Sequence, residues 1–220
     1  MLTAELINTS IPRLQLQDTV SKALRLINDF RVTHLPVVSA DKYLGMISEN
    51  DLLDKDDLKA TMELLQEDFL RASIKENVHF LTAVNFSNQF ETTIVPIANV
   101  SNDFIGVITL PDLLKTLGNF SGATEIGGII VMEMERVKFS ISEISRIVES
   151  NEATLLHLNT TTNPETGLLT VTLHLNKKEI SAILASFERY EYDVIYDFSE
   201  EKFEDNIDIN YKHLMNYLDI

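Results

Sequence analysis

The sequence predicts an α+β protein in two units, and three observations carry that expectation. The first half repeats itself: Leu35-Pro-Val-Val and Leu44-Gly-Met-Ile-Ser-Glu-Asn-Asp-Leu-Leu53 lie over Val95-Pro-Ile-Ala and Ile105-Gly-Val-Ile-Thr-Leu-Pro-Asp-Leu-Leu114. The second half reads as a β-α-β-β-α-β succession. Between them, Gly118 to Gly128 holds four of the seven glycines in the chain, the mark of a linker. The expected organisation is a repeat pair over residues 1–117, with copies at about 1–60 and 61–117. A linker at 118–127, a second domain at 128–198 and an acidic tail at 199–220 complete it.

The repeat is specific because its rare residues fall in register. Gly45 aligns with Gly106, Pro36 with Pro96, Ser48 with Thr109 and Asp51 with Asp112, in a chain with only seven glycines and five prolines. Each copy reads as a helix, a short apolar strand around the proline, a turn, a second apolar strand and a helix start. In the first copy Val20, Ala23, Leu24, Ile27 and Phe30 keep the 3.6-residue spacing of a helix, with Asp18 as its expected N-cap. Strands are expected at Leu35–Val38 and Leu44–Ile47, then at Ile94–Ala98 and Phe104–Ile108. The second copy's helix, on Phe80, Ala83 and Val84, is less regular in its pattern.

In the second half a strand at Ile129–Met134 leads to the capping box Ser140-x-x-Glu143, which opens a helix with Ile141, Ile144, Ile147 and Val148 on one face. A hairpin of Leu155–Asn159 and Leu168–Leu175 follows, with Leu169, Val171, Leu173 and Leu175 alternating toward a core. Asn176-x-x-Glu179 is expected to cap a second helix, and Val194–Phe198 to close the sheet. This is the ferredoxin-like order. Gly127-Gly128 opens a strand with no phosphate-loop spacing behind it, so it reads as a turn. A C-terminal helix is expected around Tyr211–Leu218.

Composition narrows the function. The chain has 220 residues, 45% of them apolar, and no cysteine, which excludes thiolate chemistry, disulfides and Cys-based metal sites. A formal charge of −16 repels nucleic acid and anionic membrane surfaces. Neither a signal segment nor an apolar run long enough to span a bilayer is expected, so cytoplasm is the default. No phosphate loop, nucleophile elbow or His-Glu-x-x-His motif is present, and the five histidines are scattered, so no enzyme is expected. His157 and His174 are expected to face each other across the hairpin as a polar pair rather than a metal site.

The chemistry of Ser/Thr-x-x-Asp at a helix start allows two readings. A carboxylate can accept from both ribose hydroxyls while the neighbouring hydroxyl donates to a phosphate at the helix N-terminus. The same spacing is also a capping box, which would only satisfy the helix's own N–H groups. Phosphate at the first motif would sit near Glu49, Asp54, Asp56 and Asp57, and would need Arg13, Lys22, Arg31, Lys55 or Lys59.

The two copies resemble the CBS domain pair, whose repeats carry an apolar-Pro-apolar strand followed by Gly-apolar-apolar-(Ser/Thr)-x-x-Asp. The second half resembles an ACT domain, and the combination resembles bacterial proteins labelled acetoin-utilisation proteins. The resemblance implies a regulatory homodimer that needs no cofactor and acts on an unknown target protein. Its clefts would take an adenosyl ligand: AMP, ADP, ATP or S-adenosylmethionine. It implies nucleotide-binding roles for Ser48, Asp51, Thr109 and Asp112, with Ile11, Leu35, Pro36, Val95 and Pro96 lining the adenine pocket. The alternative is a ligand-free dimerisation or interaction module whose motifs are only caps. Glu135-Arg-Val-Lys-Phe139 stands where many amino-acid-binding ACT units have a glycine, so no effector is expected there.

Overall fold

A computed structural model describes residues 1–199; the C-terminal helix expected around Tyr211–Leu218 lies outside the described residues. Two compact units separate between Leu117 and Gly118. In the first, the order is β1 (Leu14–Gln15), α1 (Val20–Phe30), β2 (His34–Ser39), β3 (Lys42–Ser48) and α2 (Glu49–Leu53). It is followed by α3 (Phe80–Phe90), β4 (Ile94–Ala98), β5 (Phe104–Thr109) and α4 (Leu110–Phe120). Both copies of the repeat therefore lay down helix, strand, strand and helix as expected. Helix α4 runs through Phe120, so the first three residues of the expected linker are helical.

The motif residues earn their places through packing. Each copy's two antiparallel strands gain a further neighbour from the segment that leads into the other copy. Leu70 exchanges both backbone hydrogen bonds with Met46 of β3 (2.9 and 2.9 Å), and Asn8 does the same with Val107 of β5 (2.7 and 3.1 Å). Glycine is required beneath these crossings. A Cβ on Gly45 would stand 2.8 Å from the Phe69 Cβ and 3.1 Å from the Leu70 carbonyl oxygen; on Gly106 it would stand 2.7 Å from Ile7 and 3.0 Å from the Asn8 carbonyl oxygen.

The prolines fit for a related reason. Pro36 lies opposite Met46 and Pro96 opposite Val107, the residues whose N–H and C=O turn away toward Leu70 and Asn8. These are non-hydrogen-bonded positions of the antiparallel ladder, so the missing proline N–H costs nothing there. On the other side, Ile74 donates to the Pro96 carbonyl (3.0 Å) and accepts from Ala98 (3.1 Å), again without calling on the proline nitrogen.

The copies meet at Thr33 and Thr93. Each backbone N–H donates to the other's hydroxyl, at 2.9 and 3.1 Å, and the two hydroxyls lie 3.3 Å apart. This reciprocal pairing marks an approximate two-fold axis between the halves. Around it the strands bury Leu35, Ile47, Ile94, Val95 and Ile108 completely, in one core shared by both copies.

The second unit contains β6 (Ile129–Met134), α5 (Ile141–Ser150), β7 (Leu155–Thr162), β8 (Leu169–Leu175), α6 (Ser181–Arg189) and β9 (Asp193–Phe198). Its antiparallel sheet has the order β7-β8-β6-β9, the ferredoxin-like arrangement. The alternating face of β8 is buried as expected, with Leu169 5% exposed and Val171, Leu173 and Leu175 fully covered. Ser140 caps α5 by accepting from the Glu143 N–H at 3.3 Å.

Two expected caps are corrected. Thr19, not Asp18, caps α1, accepting from the Lys22 N–H at 3.3 Å. Asp18 instead turns back to the Gln15 N–H (2.9 Å) and pairs with the Lys22 ammonium (2.7 Å). Helix α6 begins only after Ile180, and Asn176 accepts from the Thr154 N–H (2.7 Å), tying the end of β8 to the start of β7. In both cases a tertiary or turn hydrogen bond competes for a side chain that local spacing assigned to a helix.

Candidate functional site

At the end of β3 the chain turns into α2, and Ser48 caps that helix: its hydroxyl accepts from the Asp51 N–H at 3.0 Å and donates to Asp51 Oδ2 at 2.5 Å. The Ser48 N–H is 3.4 Å from the same oxygen. At the end of β5, Thr109 repeats the arrangement, accepting from the Asp112 N–H (3.3 Å) and donating to Asp112 Oδ2 (2.6 Å). Both expected pairs are thus formed. In each, Oδ2 serves the cap, while Oδ1 has no hydrogen-bond partner among the described residues.

The helix starts are further fixed to the two-fold contact. Glu49 donates its N–H to the Thr33 carbonyl (2.9 Å) and Leu110 donates to the Thr93 carbonyl (2.8 Å). A cleft of ≈ 260 Å³ opens beside the first motif, lined by Thr33, His34, Ser48, Glu49 and Asn50 of the first copy and by Phe90 and Glu91 from the end of α3. Burial pushes the His34 imidazole below its ordinary pKa, against the opposing pull of Asp51, and its Nδ1 lies 2.9 Å from the Thr33 hydroxyl. Phe90 rests its ring on Phe86, 4.7 Å between centroids.

The expected adenine-lining residues are distributed differently. Leu35, Pro36, Val95 and Pro96 are buried in the shared core, behind the helix starts. Ile11 lines a separate hollow of ≈ 320 Å³ with Arg13 and the Phe104–Gly106 stretch of β5. Thr33, His34, Asn50 and Phe90 were not singled out from the sequence. Extending the repeat two residues upstream of Leu35 and Val95 would have found Thr33 and Thr93; Phe90 reaches the cleft only through tertiary packing.

Of the cations named as phosphate partners, three are engaged elsewhere. Arg13 pairs with Asp41 at 2.9 Å, Lys22 with Asp18 at 2.7 Å and Lys55 with Asp68 at 2.8 Å. Arg31 is exposed at the left-handed C-cap of α1, the position that Glu91 occupies at the end of α3.

In the second unit His157 and His174 are cross-strand partners in the hairpin, as expected, and no cluster of three or more metal-ligating side chains occurs among the described residues. A hollow of ≈ 410 Å³ near the start of α5 is lined largely by carboxylates, with Tyr192 donating to Glu143 at 2.9 Å. Burial first, and then that hydrogen bond, push the Tyr192 phenol up to about 12. Among the described residues no helix is long and apolar enough to cross a membrane.

Comparison with known proteins agrees with the first repeat. Residues 4–57 match the model of the CBS domain family. An inosine-5'-monophosphate dehydrogenase of Methanocaldococcus jannaschii is 33% identical over 102 residues, 44% of this chain and 20% of that enzyme. The chain spans about a fifth to a quarter of the length of the curated relatives it matches. A CBS domain pair/ACT domain protein of Thermotoga maritima is 17% identical, covering 55% of this chain and 98% of that one, with a TM-score of 0.49. CBSX2 in complex with AMP is 16% identical, covering 54% and 97%, with a TM-score of 0.47. Residues 4–57 are thus similar to a CBS domain, and the second half of the first unit traces the same path once more.

Proposed function

We propose that the chain is a non-catalytic regulatory module of the CBS-pair type that binds an adenosyl ligand at the helix starts of its first unit. The ligand class is AMP, ADP, ATP or S-adenosylmethionine. The observation that carries this reading is the division of labour within each aspartate: Oδ2 closes the helix cap and Oδ1 stays available. A carboxylate has acceptor sites for both duties, so capping and ribose binding do not compete. Ser48, Asp51, Thr109 and Asp112 hold the ribose end, and the cleft beside Ser48 gives the base a wall in Phe90. The Leu35-Pro36 and Val95-Pro96 strands support these positions from the shared core, while Ile11 belongs to the separate hollow beside Arg13.

The module acts as a cytoplasmic homodimer that passes ligand occupancy to a target protein. The second unit serves as an ACT-like partner domain without an effector of its own, since carboxylates crowd its hollow. A ligand-free interaction module is the second reading, favoured by the closed geometry of both caps.

Calorimetry and thermal melts with AMP, ADP, ATP and S-adenosylmethionine decide between them. Asp51→Glu or Asp112→Glu keeps a residue suited to the third position of a capping box but moves the carboxylate by one methylene. The expected result is an unchanged melting temperature without ligand and an affinity about ten- to a hundredfold weaker, the loss of one charge-assisted hydrogen bond. Absence of binding to any of the four at millimolar concentration leaves the interaction module in its place. Light scattering at micromolar protein checks the dimer.

A further inference from the structure

The two proposed ligand-binding positions differ in charge. Two of the residues lining the first cleft are glutamates, Glu49 and Glu91, and neither lysine nor arginine lines it. At the corresponding positions of the other half stand Leu110 for Glu49 and Arg31 for Glu91. The correspondence is fixed by structure: Glu91 and Arg31 are both left-handed C-caps, at φ 50° and 52°, and Glu49 and Leu110 both donate to the paired threonines' carbonyls. We infer that the first cleft selects an adenine nucleoside without phosphate, uncharged or cationic, and turns away nucleotides. This rests on the adenosyl-binding reading above and deepens it.

The cleft's chemistry works in one direction. A phosphate monoester brings about −1.5 to −2 charges at pH 7, to be placed beside two glutamates and near Asp51. The imidazole of His34 offers no positive charge in return, because burial favours its neutral form. The helix behind the cleft is α2, only five residues long, so its dipole contributes little against three carboxylates. A sulfonium or ammonium group instead finds two carboxylates and the face of Phe90, which attracts cations.

Titration calorimetry with adenosine, S-adenosylmethionine, AMP and ATP tests this on the full chain, in parent, Asp112→Glu and Glu91→Arg proteins. Asp112→Glu weakens the second position about ten- to a hundredfold, so that the tighter transitions in its titrations report the first cleft. The expected result is that adenosine and S-adenosylmethionine bind the Asp112→Glu protein at least about tenfold more tightly than AMP, and that 0.5 M salt narrows the gap. Glu91→Arg copies the residue that Arg31 already places in the same backbone conformation, so it folds, and it should shift the AMP-to-adenosine ratio about tenfold toward AMP. AMP binding as tight as adenosine in Asp112→Glu, or an unchanged ratio in Glu91→Arg, overturns the selectivity while leaving adenosyl binding intact. No binding by any of the four ligands in the parent overturns both.

Discussion

The two halves of the first unit follow one backbone path and meet solvent with different side chains. Where the halves cross, they agree: glycine under the exchanged segment, proline at a position that asks for no N–H, threonine at the two-fold contact, and a hydroxyl and carboxylate at the helix start. Beside the cleft and at the helix ends, away from the crossings, they part. His34 answers to Ile94, Glu49 to Leu110, Asn50 to Pro111 and Glu91 to Arg31, and the five-residue α2 answers to the eleven-residue α4. Steric and hydrogen-bond demands are the same on both sides of the axis, so they admit few residues. Positions away from the crossings carry no such shared demand, and there one half can take up a different ligand chemistry from the other.

The crossings give the largest effect. Gly45→Ala should cost about 2–4 kcal/mol, because the new methyl meets the backbone of Leu70 and Gly45 holds a φ of +154° that side chains rarely adopt. Gly106→Ala meets a similar contact, but without that φ it should cost about 1–3 kcal/mol. Urea melts followed by circular dichroism check both. Equal and negligible losses would show that the exchanged segments do not press on the strands.

The threonine contact comes next. Thr33→Val and Thr93→Val each remove a hydroxyl that a partner N–H needs, and each should cost about 1–2 kcal/mol. The double variant should lose less than the sum, since one contact is shared, with a coupling of at least about 0.5 kcal/mol in a double-mutant cycle. Strict additivity would separate the two halves energetically.

Helix caps sharpen the comparison at smaller cost. Thr19→Ala and Ser140→Ala should each lower stability by about 0.5–2 kcal/mol. Asp18→Ala should cost less than Thr19→Ala, because its ion pair with Lys22 is partly exposed. The reverse order in matched urea melts would restore Asp18 as the cap.

The smallest effect is a pH dependence belonging to one half alone. The His34 pKa is lowered in the folded protein, chiefly by burial, while the unfolded chain keeps about 6.5. Between those values the unfolded state binds the proton and the folded state does not, so stability is highest above about pH 6.5 and falls as pH drops, levelling off once the folded imidazole also protonates. Placing the residue of the other half there, His34→Ile, should flatten the stability difference between pH 7.5 and 5.5 relative to parent. An identical slope in both proteins would move the pH dependence to other groups.

The local features of this protein are legible in its residues alone. The repeat in register, the four strands around Pro36, Gly45, Pro96 and Gly106, the Ser48 and Thr109 helix starts, the capping box at Ser140 and the alternation of β8 are all written in neighbours a few residues apart. Such features follow from side-chain period, cap chemistry and backbone restriction, which need no distant partner. Long-range packing accounts for the crossing of Leu70 and Asn8 to the opposite copies, and so for why the glycines are glycines. It also sent Asp18 and Asn176 to turn and strand partners, buried Leu35 and Val95, and brought Phe90 and Glu91 to the cleft beside Ser48. Apart from Asp18, whose turn partner Gln15 is local, those outcomes depend on residues tens of positions apart meeting at the same N–H group or in the same space, and a meeting of that kind has no trace in the local spacing of either partner.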